Sequence, residues 1–134
     1  MIRSITAADT YPLRHQVLWP DKSLDFVKVP EDEEGFHFGY FVDDQQVSVI
    51  SLFVNEQGIA RFRKFATHPD FQRQGLGSAL LQTVFERAIA LKAIAIWCDA
   101  RLDAKPFYEH FGMQQEGDLF FKGDIPYMKM TRTF

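Results

Sequence analysis

Two glycines stand directly ahead of the longest amphipathic run in the chain. "QRQGLG" covers Gln72 to Gly77, and the residues behind it repeat at helical spacing. Leu76, Leu80, Val84, Ala88 and Leu91 form one row, with Leu81, Phe85 and Ile89 beside it; Gln82, Thr83, Glu86 and Arg87 fill the other side. That pattern predicts an amphipathic helix. Glycine costs helix stability, so Gly75 and Gly77 at its mouth need a reason. One is a strand-to-helix turn that requires a positive φ. The other is close approach to a ligand: a helix N-terminus offers unpaired N–H groups and a partial positive charge, and residues without side chains leave those donors open to a phosphate. The glycines alone do not choose between the two.

Two nucleotide-binding patterns fail here. A Walker loop needs Lys before Ser or Thr after its last glycine, and Ser78 follows Gly77 directly. A dinucleotide fingerprint needs a third glycine where Leu80 stands, and a βαβ setting that the preceding residues do not provide. Those residues read as strands. "FHFGYFV", "QVSVISLFV" and "IARFRKFAT" alternate as a meander, with turns at Asp43–Asp44 and at "NEQG". "MIRSIT" reads as a first strand, and "AADTYPLRHQVLW" as a helix closed by Pro20. Residues 21–35 read as an acidic loop. After the long helix come a buried strand "AIAIWC", a short helix "DAKPFYEHF" with Asp103 as its cap and Gly112 as its stop, and two closing strands in "MQQEG" and "PYMKMTRTF". The expected architecture is α/β (α+β): one central sheet flanked by helices, a single domain over residues 1–134.

Charge and cysteine content narrow the partners. A net charge of -3 with no basic run argues against nucleic acid. No stretch approaches the roughly 18 apolar residues of a membrane helix, and the N-terminus does not resemble a secretory signal. One cysteine, Cys98, excludes an internal disulfide and suggests a reducing, cytoplasmic setting. It ends an apolar strand and reads as core rather than nucleophile. His15, His68 and His110 are too scattered for a metal site, so none is expected.

"QRQGLG" resembles the Q/R-x-x-G-x-G/A pyrophosphate motif of the GNAT superfamily of acyl-CoA-dependent N-acyltransferases. The resemblance extends upstream and behind it through "KFATHPDFQRQGLGSALL". It continues downstream in "WCDARLDAKPFYEHFGMQQEG", where Met113 replaces the usual Phe after glycine. The resemblance implies a mixed, mainly antiparallel sheet and acetyl-CoA as co-substrate. It implies that Phe65, Ala66 and Thr67 pair with the pantetheine arm, and that Gln72, Arg73, Gln74, Gly75, Leu76 and Gly77 wrap the pyrophosphate. Tyr108 is implied as the acid that protonates the departing thiolate, a transfer that a phenol of pKa near 10 can make to a thiolate of about 8.5 in close contact. Asp99 stands where many relatives carry a cofactor-contacting Asn, and Lys105 lies toward the adenosine side, where it can meet the 3′-phosphate.

One part of the family pattern is missing. Many relatives carry Glu or His on the strand just before the pantetheine-pairing stretch, to take a proton from the amine. Here Arg61 and Arg63 occupy that strand, and neither is a base. Glu33, Glu34, His37 or Asp99 could substitute, or a water chain, or the acceptor could be a weakly basic amine. Period-two alternation puts Arg61 and Arg63 on one face, barring a bulge, with Lys64 on the other. If that face lines the acceptor site, the substrate carries an anion; exposed cross-strand ion pairs are the plainer reading. The expected function is direct acetyl transfer to a primary amine, on a small molecule, by a monomer or a homodimer. The alternatives are a catalytically weak acyl-CoA sensor, a protein amine acetyltransferase, or a plain interaction domain with an incidental glycine turn.

Overall fold

A computed structural model describes the chain from Met1 to Phe134. Its first strand, β1 (Ile2–Ile5), leads into helix α1 (Ala7–Leu13), which Thr6 and Asp9 begin as a reciprocal capping box. Pro12 sits inside α1 and lacks an amide donor, and the next turn widens to a π-helix over Arg14–Leu18. The alternating segments then form β2 (Phe36–Val42), β3 (Gln45–Val54) and β4 (Ile59–Thr67). Asp43 and Asp44, with φ of 50° and 64°, make the two-residue hairpin that suits the right-handed twist of its strands. Helix α2 (Leu76–Ala90), β5 (Ala95–Arg101), helix α3 (Lys105–His110), β6 (Gln114–Lys122) and β7 (Ile125–Thr133) complete the order.

Seven strands make one sheet in the order β1-β2-β3-β4-β5-β7-β6, with every neighbouring pair antiparallel except β4 and β5. The expected mixed, mainly antiparallel sheet is therefore observed. Alternation along β3 divides the interior. Ile50 and Leu52 join Leu80, Leu81, Val84 and Phe85 of α2 in the main core, which Phe62 and Tyr108 also enter. Val49, one residue out of phase, packs with Leu13 and Ala66 on the opposite face. Helices α1 and α2 thus lie on opposite sides of the sheet.

Ser51, on the α1 face, meets the one deeply buried ion pair. Arg14 is fully buried and donates through both terminal nitrogens to Asp32 at 2.8 Å, and also to Ser51 Oγ and the Val27 carbonyl. His37 Nε2 lies 2.8 Å from the Asp32 carbonyl oxygen, which can only accept. Nε2 therefore carries the proton, and Nδ1 accepts from Ser51 at 2.7 Å.

Several local expectations shift. The acidic stretch 21–35 contains two 3₁₀ turns, Leu24–Val27 and Asp32–Glu34, and buries Val27, Val29 and Asp32. The first helical region does close before Pro20 as expected, with Trp19 as its cap, although its last turn is a π-helix. The apolar row of α2 stops being buried after Ala88, since Ile89 and Leu91 are exposed. Asp103 does not cap α3: it sits in a 3₁₀ turn, and Ala104 holds the cap position with no side-chain bond. Gly112, at φ 80°, ends that helix as expected.

Candidate active site

The site begins where two strands part. β4 and β5 pair only over Ile59–Arg61 and Ala95–Trp97. Beyond this, β4 continues to Thr67 paired with β3 alone, and β5 continues to Arg101 paired with β7 alone. The facing backbone edges of Phe65–Thr67 and Asp99–Arg101 consequently have no strand between them. A cleft of about 1060 Å³ occupies the gap. An unpaired backbone edge in such a place can take an amide-bearing chain as a substitute strand.

The glycine loop closes one end. Gly75 caps α2 in the left-handed region, at φ 82°, and a Cβ there would meet nothing within 4 Å. Its role is conformational. Gly77 has an ordinary φ, but a Cβ would stand 3.1 Å from Phe65 Cζ, so this glycine lets the helix start lie against the strand that edges the cleft. Arg73 also takes a positive φ, 62°, and Gln72 Nε2 donates to the Thr67 carbonyl at 3.0 Å, tying loop to strand. The α2 N-terminus lacks any side-chain cap, which leaves its first amides available to an anion.

Tyr108 and Cys98 both line the cleft. Tyr108 packs against Phe62 and Phe107, at centroid distances of 5.8 and 5.1 Å. Burial, helped by the Cys98 thiol, pushes its pKa well above that of a free phenol. The hydroxyl is therefore protonated but is a weaker acid than the free phenol of the sequence expectation, and donates only to a thiolate whose basicity the same desolvation raises. Burial likewise raises the Cys98 thiol, with Asp99 adding to the effect. A thiol so held is not a nucleophile at neutral pH.

The expectation for Lys64 needs correction, while Arg61 and Arg63 keep the alternation and share a face. Val49 pairs with Ala66 but Ser51 with Arg63, so Lys64 and Phe65 together face Ile50. This is a β-bulge, with Lys64 at φ 56°. The extra residue breaks the alternation, and Lys64 joins Arg61 and Arg63 in the cleft lining. Arg61 bonds Asp99 at 3.1 Å and lies over the Trp97 ring at 4.1 Å. Arg63 reaches only Glu31, at 4.0 Å, and Lys64 forms no ion pair. Desolvation, with the charges of Arg63, Arg14 and Lys122 adding, lowers Lys64 to about 8 against the ordinary 10.5; Asp32 opposes this weakly.

A lysine whose folded pKa is depressed disfavours the fold below that pKa, because the unfolded chain holds the proton more easily. Lys64→Met is therefore expected to raise the melting temperature at pH 7. The gain over wild type should shrink as pH rises from about 8 toward 10.5. Parallel thermal melts of the two proteins across that range would reveal a gain that does not depend on pH, which would contradict the assignment.

Most of the sequence-derived site residues converge. Phe65, Ala66, Thr67, Gln72, Arg73, Gly75, Gly77, Asp99, Tyr108, Arg61 and Arg63 all line the cleft. Leu76 does not. Gln74 turns back to the Asp70 carbonyl, and Lys105 reaches Gln115 at 3.0 Å, outside the cleft lining. His37 is consumed in the buried network, and neither Glu33 nor Glu34 lines the cleft. Lys64, Lys122, Tyr127, Trp19 and Phe26 line it without having been foreseen. For Lys64 the only signal was the possibility of a bulge.

Residues 22–134 match the family model described as an acetyltransferase (GNAT) domain, which spans the glycine loop, the parted strands and Tyr108. The chain belongs to the GNAT family of acetyltransferases. Among curated GNAT relatives, the uncharacterized N-acetyltransferase YitI of Bacillus subtilis (strain 168) is 32% identical over 133 residues, covering 93% of this chain and 87% of that protein. Escherichia coli ElaA superposes with a TM-score of 0.85 at 13% identity, over 98% of each chain. A Bacillus subtilis acetyltransferase solved in complex with CoA gives 0.78 at 18% identity, over 99% of this chain and 97% of that one. These solved structures share the GNAT fold. No helix here is long and apolar enough to cross a membrane.

Proposed function

We propose that this GNAT protein transfers the acetyl group of acetyl-CoA directly to a primary amine on a small molecule. The observation that carries the reading is the parting of β4 and β5 after three residue pairs, which opens one cleft from the glycine loop to Tyr108. The exposed edge of Phe65–Thr67 is suited to pantetheine amides. The α2 amides, opened by Gly75 and flanked by Arg73, are suited to the pyrophosphate. Backbone N–H groups of β4 next to the bulge would polarise the thioester oxygen. As the amine nitrogen bonds to the carbonyl carbon and the C–S bond breaks, Tyr108 gives its proton to the departing sulfur.

Deprotonation of the amine has no carboxylate or imidazole on β4. Arg61 and Arg63 cannot serve, Asp99 in the lining is held by Arg61, and Lys64, lowered to about 8, is cationic at pH 7. The acceptor therefore reacts from its neutral fraction. A CoA sensor without turnover is the second reading, and this missing base is what favours it.

Titration calorimetry with CoA, paired with mass-spectrometric detection of acetylated products from an amine panel, tests both readings. Gly75→Val puts a β-branched residue at positive φ, so that the free loop relaxes out of the cradle. It should weaken CoA binding by about tenfold, as strain of roughly 1–2 kcal/mol that binding must restore implies. Gly77→Val, which displaces the helix start from Phe65, should weaken it as well. Unchanged affinity in both variants would remove the glycine cradle from the argument. Tight CoA binding without transfer to any amine would favour the sensor, and no CoA binding would leave only an interaction domain.

A further inference from the structure

The cleft carries a charge that the rest of the molecule does not. In a chain of net charge -3, seven Lys and Arg side chains line it against two carboxylates, Asp99 and Asp103. Part of this excess belongs to the co-substrate: Arg73 stands in the loop that opens α2. Arg63 and Lys64 are placed differently. Arg63 pairs with Ser51, whose side chain meets Arg14, and Lys64 feels the charges of Arg14 and Asp32. Both therefore lie on the α1 side of the sheet, opposite the face that carries α2 and α3. Lys122 of β6 is close enough to add to the repulsion on Lys64. Trp19 and Phe26, 5.2 Å apart, line the same cleft from the segment after α1.

We infer that Arg63 and Lys64, joined by Lys122, seat an anionic group of the acceptor, so that the amines acetylated are those bearing a carboxylate or a phosphate. The inference rests on the transfer reading above and specifies its substrate class. Holding Arg63 beside the partly desolvated Lys64, with the exposed Lys122 adding its charge, is unfavourable unless an anion completes them. The bulge at Lys64 adds a second cost, since a non-glycine residue at positive φ is strained. Arg61 is excluded from the seat because Asp99 and the Trp97 ring already hold it. Glu31, at 4.0 Å from Arg63 and largely exposed, is a displaceable partner. Arg63 supplies the planar fork that carboxylates and phosphates accept in bidentate fashion, and Lys64 supplies a point charge beside it.

The test compares three acceptors of similar reach at saturating acetyl-CoA: pentylamine, 5-aminopentanoate and 3-aminopropyl phosphate. At pH 7 the better of the two anionic amines should exceed pentylamine in kcat/KM by about tenfold or more, mainly through KM, as one charge-assisted contact implies. The order of the two anionic amines identifies the anion. Arg63→Gln and Lys64→Gln should each erase most of this preference while leaving transfer to pentylamine and CoA affinity near wild type. A fall in kcat for all three amines in Lys64→Gln would instead mark Lys64 as a proton carrier and overturn the inference. The anionic preference should decline as pH rises through about 8, where Lys64 loses its charge, and Lys64→Arg should hold it to higher pH.

Calorimetry of glutarate and inorganic phosphate into CoA-saturated protein reads the seat without turnover. Equal kcat/KM for the three amines, with neither anion bound, would overturn the inference and leave acetyl transfer intact. Anion binding that Arg63→Gln abolishes, in a protein that acetylates no amine, would sustain the seat and sink the transfer reading.

Discussion

Arg14→Met is expected to destabilise the protein by about 3–5 kcal/mol, the usual result of removing one partner from a buried ion pair. Arg14 is fully buried and satisfies both Asp32 oxygens, Ser51 Oγ and the Val27 carbonyl. Without it, Asp32 keeps a buried negative charge with only the Val29 amide, at 2.9 Å, as a strong donor. Urea unfolding of wild type and variant measures the loss, and a change below about 1 kcal/mol would show that the pair is far less desolvated than the geometry indicates. Asp32→Asn in the same background should restore part of the loss, because the amide still accepts from Val29 and no charge is left alone.

The pair also sets a pH dependence. Burial by itself would raise the Asp32 carboxyl, but hydrogen bonds from Arg14 and the Val29 amide, with the Arg14 charge, outweigh it and hold the group below the ordinary carboxylate value. A depressed acid stabilises the fold above its unfolded pKa of about 4, and that contribution is lost as pH falls through the lowered value. The Arg14→Met penalty should therefore shrink in acid.

Tyr108→Phe is expected to cut acetyl transfer by roughly tenfold or more while CoA affinity stays near wild type. The substitution removes one oxygen from a ring packed between Phe62 and Phe107 and leaves that packing in place. Because burial raises the phenol's pKa, wild-type activity should show no alkaline loss from Tyr108 itself up to pH 10. Steady-state kinetics and CoA titration of the two proteins separate the outcomes. Unimpaired turnover in the variant would mean the sulfur takes its proton from elsewhere.

What the sequence revealed follows from how local the signals are. The α2 stripe and the glycines before it are set by neighbours three and four residues away, so both were legible. Tyr108 was singled out only through the resemblance of "WCDARLDAKPFYEHFGMQQEG" to the GNAT family, and not by its spacing. The bulge was not legible, because it depends on how β4 registers against Ile50 of a different strand, and nothing in "RFRKFAT" marks which residue is extra. Burial of Asp32 was equally hidden: the acidic run around it reads as solvated, and only a partner eighteen residues earlier draws one of its members inside. Lys122 was missed because β6 runs five residues past the expected "MQQEG", to Lys122, whereas β7 matches the expected closing strand to within one residue at each end.

The short seam between β4 and β5 has a consequence for the protein as a moving body. Only three residue pairs join the four-stranded half of the sheet to the three-stranded half, and the ladder ends at the same level as Arg61 and Trp97. A guest chain laid along the open rungs would touch both halves at once and complete the ladder between them. Occupancy of the cleft would then brace the scaffold itself, and the geometry around Tyr108 would be firmest when there is an acetyl group to hand over.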